Sequence, residues 1–81
     1  MQGMKYLDKE TNKNYVIMVM TPEEAEDLTK AILDKECYYI DLQEEAETAG
    51  NEEEKRYWKK FEKKFETYRN AIEDVIRFWE E

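Results

Sequence analysis

The chain is 81 residues long, 42% charged and 41% apolar, with 21 acidic residues against 13 basic ones for a net charge of −8. A length like this allows one thin-cored domain, burying about 60% of its unfolded surface, and the acidity argues against general affinity for nucleic acid or anionic membrane. With no histidine, two glycines and one cysteine, a small zinc site, a Cys-His or Ser-His relay, a glycine-rich phosphate loop and a disulfide framework are excluded by count.

Residues 4–20 read as a β-hairpin. Residues 15–20 are β-branched, aromatic or methionine throughout, and residues 4–7 alternate more weakly. Between them Asn12 and Asn14 tolerate left-handed backbone, which puts the turn near Thr11 and Asn12. In the second strand Tyr15, Ile17 and Val19 share one face and Val16, Met18 and Met20 the other. Both faces are apolar, so both need cover. A lone two-stranded hairpin is marginal in water.

Thr21, Pro22 and Glu24 form the strongest local signal: a capping threonine, a proline at the first helical position, and a glutamate that closes a capping box. Positions 25, 28, 32, 35, 39, 42, 46 and 49 then follow in steps of three and four, and all but Lys35 are apolar or aromatic. That predicts one helix over residues 22–48. Residues 37–42 taken alone also read as a strand, since β-branched and aromatic side chains cluster there. Gly50 and Asn51 end the helix, and Asn51 caps a second one over residues 52–80. Its seam is Trp58, Phe61, Phe65, Tyr68, Ile72, Val75 and Trp79. So short a connection makes the helices antiparallel. The expected fold is therefore α+β, a single domain over residues 1–81, with an N-terminal β-hairpin packed on a long antiparallel two-helix hairpin.

Leu33, Cys37 and Ile40 form a second stripe on the first helix, and the last turns of the second helix broaden through Ala71, Ile76 and Phe78. The β-hairpin is expected to dock on these widened zones. One hairpin cannot cover a helix flank and its own outer face together, and its edges stay open. A homodimer is the expectation, with Val16, Met18, Met20, Leu33, Cys37, Ile40 and Phe78 as its candidate interface.

Charge is segregated. Residues 55–69 hold seven Lys or Arg against two acidic residues, whereas residues 1–54 hold 15 acidic against five basic. Lys55, Arg56, Lys59 and Lys60 are expected to pair with Asp41, Glu44, Glu45 and Glu47 and set the helical register. Glu23, Glu26, Asp27, Asp34, Asp41, Glu44, Glu73 and Asp74 form a candidate acidic surface, either solubilising or facing a larger basic protein.

No catalytic residue, cofactor or metal site is expected. Acid–base chemistry needs a carboxyl with a raised pKa in a concave site, and every Asp and Glu falls off the predicted seams. Cys37 has no base to activate it and reads as a small buried hydrophobe. Direct nucleic-acid binding is disfavoured too, because Trp58, Phe61 and Phe65 lie on the seam and leave only Tyr57 to stack on a base. No apolar run reaches membrane-spanning length, and the opening residues lack a basic-then-apolar leader pattern, so the expected location is cytoplasmic. The function classes left are a small acidic interaction or regulatory module, or an acidic inhibitor, some of whose carboxylates imitate phosphates, that blocks a basic groove on a nucleic-acid-handling enzyme.

Overall fold

The computed structural model describes the backbone of residues 1–80 and the side chains of residues 1–77. Four elements follow in order: β1 (Gln2–Asp8), β2 (Lys13–Val19), α1 (Pro22–Thr48) and α2 (Glu52–Glu80). The strands are antiparallel, with Met4 opposite Ile17 and Tyr6 opposite Tyr15. Gln2 and Gly3 pair with Val19 and Met18, so β1 begins two residues earlier than its alternation suggested. Gly3 has a packing role, since the Met18 side chain lies where a Cβ would project. The turn contains Asn12 at φ 56°, the left-handed backbone its side chain tolerates. It is braced by Asp8, whose Oδ1 accepts from the N–H of Glu10 at 2.9 Å.

The capping box forms as predicted: Thr21 Oγ1 accepts from the Glu24 N–H, and Glu24 Oε1 from the Thr21 N–H. α1 then runs unbroken through residues 37–42, so the helical period prevails over local β propensity. It stops at Gly50, whose φ of 71° admits a left-handed turn at no steric cost. There Gly50 N–H donates to the Glu47 carbonyl and Asn51 N–H to the Ala46 carbonyl. Asn51 caps α2 by accepting from the Glu54 N–H at 3.0 Å. Among the described residues, no helix is long and apolar enough to cross a membrane.

The helices pack on each other through a mixed seam. Tyr39 of α1 stacks against Trp58, Phe61 and Phe65 of α2, with ring centroids 5.5–5.9 Å apart. Ala25, Thr29 and Ala46 are buried at the same interface. Two seam assignments need correction. On α1, Glu36 is buried (4% exposed) where Lys35 was placed. On α2, Arg69 and Ile76 turn inward while Tyr68 and Val75 are exposed. A straight helix drifts about 20° per heptad against a strict seven-residue repeat, so the contact line moves one residue along by the second half of α2. Trp79 and Phe78 lie outside the described side chains.

The β-hairpin packs at the open end of the helix pair, where Met18, Val19 and Met20 face Ala71, Ile72, Val75 and Ile76 across a cleft of about 500 Å³. The molecule is elongated, 44 × 33 × 20 Å, with a radius of gyration of 16.3 Å. A compact chain of this length would have about 12 Å.

Candidate interaction surface

Strand alternation places Met4, Tyr6, Tyr15, Ile17 and Val19 on one face of the sheet, and Leu7, Val16 and Met18 on the other. All eight are exposed, Val16 to 76%. Tyr6 and Tyr15, directly opposite each other, have ring centroids 6.2 Å apart. Aromatic pairs opposite one another stabilise a sheet by up to about 1 kcal/mol, which leaves the apolar area of both faces in water.

The hairpin does not cover the second stripe of α1. Leu33, Cys37 and Ile40 are exposed, because the end of the sheet faces the Ala71–Ile76 stretch of α2 across the cleft and does not lie over the outer side of α1. Cys37 is thus a free, exposed thiol and not a buried hydrophobe. Of the candidate dimer residues, Val16, Met18, Leu33, Cys37 and Ile40 are exposed and Met20 is half-buried in the cleft. The hairpin residues are therefore separated from the α1 stripe and do not join it in one patch.

A further apolar flank escaped the sequence reading. Tyr57, Phe61, Tyr68 and Val75 recur at helical spacing along one side of α2, and Tyr57, Tyr68 and Val75 are exposed, Val75 to 69%. Phe61 and Phe65 make edge-on ring contacts with Tyr57 and Tyr68 at 5.1 and 5.6 Å. The exposure follows from the drift that turns positions 68 and 75 out of the interhelical seam, and comparing seven-residue with 3.6-residue periods would reveal it.

The electrostatics also differ from expectation. Arg69 holds the buried Glu36 with two bonds, Nε to Oε2 at 2.6 Å and Nη2 to Oε1 at 3.1 Å, and reaches Glu73 through Nη1 at 3.1 Å. The hydrogen bonds to Glu36 and then Glu73 push the guanidinium pKa further up, so its charge is permanent. Gln43 donates to Glu62 at 2.9 Å one layer nearer the tip. Register is therefore set by Glu36–Arg69 and Gln43–Glu62. Of the predicted tip pairs only Lys55–Glu47, at 3.4 Å, forms among the described residues. The reading that no carboxylate lies on a seam fails at Glu36, and Glu73 is engaged by Arg69. Glu23, Glu26, Asp27, Asp34, Asp41, Glu44 and Asp74 are exposed and make no ion pair among the described residues.

No protein-family model, curated protein or solved structure matches this chain.

Proposed function

We propose that this chain is a small, acidic, non-catalytic protein–protein interaction module that acts in the cytoplasm and assembles as a homodimer through its apolar surface. The observation that carries the reading is a two-stranded sheet with large apolar side chains exposed on both faces, in a chain that is 42% charged. Exposed apolar patches of this extent mark interaction sites, and a two-fold partner presents the same surface in return. Sedimentation velocity across the micromolar range tests it. A dimer that Ile17→Lys weakens, and that added salt does not dissociate, supports the reading. A monomer at every concentration removes it.

The second reading is an acidic inhibitor that occupies a basic groove on a nucleic-acid-handling enzyme. It is favoured by Glu23, Asp34 and Asp41, which sit exposed on the outer side of α1 with no ion pair among the described residues. Co-purification from lysate at low and high salt separates the two. A salt-labile basic enzyme supports inhibition, and a self-associating chain that retains nothing else supports the interaction module.

A further inference from the structure

We propose that the dimer is reciprocal: the β-hairpin of each copy lies on the aromatic flank of α2 in the other. The inference rests on the homodimer reading and assigns the surface that receives the hairpin. Three observations lead to it.

The first is area. The chain exposes 6930 Å², whereas a compact monomer of its mass exposes about 5,200 Å². The excess, about 1,700 Å² per chain, amounts to about 3,400 Å² per dimer, within the range of obligate homodimers. Hairpin and helix flank together account for most of the exposed large apolar side chains.

Shape is the second. Strands of seven residues are about 24 Å long, and the stripe from Tyr57 to Val75, whose last residue also borders the molecule's own cleft, runs about 27 Å along α2. Tyr39 of α1 borders the same flank, 5.5 Å from Phe61. Lys64 alone interrupts the stripe, with an apolar stem that can lie along it.

The third is the joint between sheet and helix. Only Met20 and Thr21 connect β2 to α1. Thr21 is locked in the capping box with extended backbone, φ −72° and ψ 160°, and Pro22 follows with its own φ fixed. No glycine lies near to let the strand swing back. Met18, Val19 and Met20, at the end of β2, already face the cleft beside α2 of their own chain. Met4, Tyr6, Tyr15 and Ile17 do not line that cleft, are exposed, and are left for a second molecule.

Mixed charge variants test the arrangement. Ile17→Lys alters the hairpin face and Tyr68→Glu the helix flank, and neither side chain lines the molecule's own cleft. Each variant alone should raise the dimer dissociation constant by about tenfold or more, because a charge would be buried in an apolar contact, with helical circular dichroism retained. An equimolar mixture should recover dimer, since each mixed dimer keeps one unaltered hairpin-on-flank contact and sets lysine against glutamate in the other. Tyr57→Glu gives the same readout should Tyr68→Glu fail to fold. Recovery on mixing confirms the reciprocal arrangement. A wild-type dimer insensitive to Tyr68→Glu, with no recovery on mixing, overturns it in favour of hairpin-to-hairpin pairing and leaves the homodimer standing. A wild-type monomer overturns both, and loss of its thermal stability in Ile17→Lys would show the hairpin closed on its own helices.

Discussion

The helix pair and the β-hairpin use their apolar side chains to opposite effect. In the helix pair, Tyr39 is set among three rings of α2, and Glu36 and Arg69 satisfy each other inside the interface. In the hairpin, the strands bond each other while Met4, Tyr6, Val16 and Ile17 remain in water. Backbone pairing alone therefore does not make a stable unit. Two strands supply a ladder and no interior, whereas two long helices with facing stripes supply an interior of their own.

The helix pair depends most on its buried ion pair. Arg69→Ala should cost about 3 kcal/mol, because it leaves Glu36 charged and buried without a partner. Chemical denaturation of the single variant and of Glu36→Met/Arg69→Met measures this. The double variant should regain most of the loss, and a harmless Arg69→Ala would show that the pair does not hold the helices. Tyr39→Ala should also cost about 3 kcal/mol, the low end for deleting a buried aromatic, since the ring is only half-buried. A thermal melt by circular dichroism reads it.

Hydrogen exchange separates the two regions. Amides of β1 and β2 should lose protection on dilution from high to low micromolar concentration, whereas those of central α1 and α2 should change less. Uniform, concentration-independent protection would mean that the hairpin needs no partner. Thr21→Ala should cost about 1 kcal/mol, the usual value of an N-cap, and would loosen the joint between the two regions.

The smallest effect is a pH dependence. The Thr21 N–H holds the half-exposed Glu24 carboxylate below its ordinary 4.5. A depressed carboxylate stabilises the fold above its unfolded pKa, and that contribution is lost as pH falls through the lower folded value. The melting temperature of wild type should therefore exceed that of Glu24→Gln slightly at pH 7, with the gap closing below pH 4.5. A gap that widens on acidification would remove the capping carboxylate from the account.

Local chemistry settled the elements of this protein from the sequence alone. Thr21, Pro22 and Glu24 start α1, Gly50 and Asn51 stop it, and the helical spacing from Ala25 to Ala46 carries it past Cys37–Ile40. These signals act within one or two turns, so they are legible without neighbours. The two apolar faces of residues 15–20 were legible for the same reason. What faces what was decided only by the tertiary structure. Glu36 and Arg69 look like surface charges until two seams 33 residues apart are brought together. Tyr68 and Val75 look like core until the drift of α2 turns them outward. The hairpin could have covered Leu33 and Ile40, yet lies beside Ala71 and Ile72 because the short capped joint at Thr21 sets its direction. Helix phase, interhelical register and the direction of the chain at a joint are properties of the assembled elements, and no residue pattern within a single element encodes them.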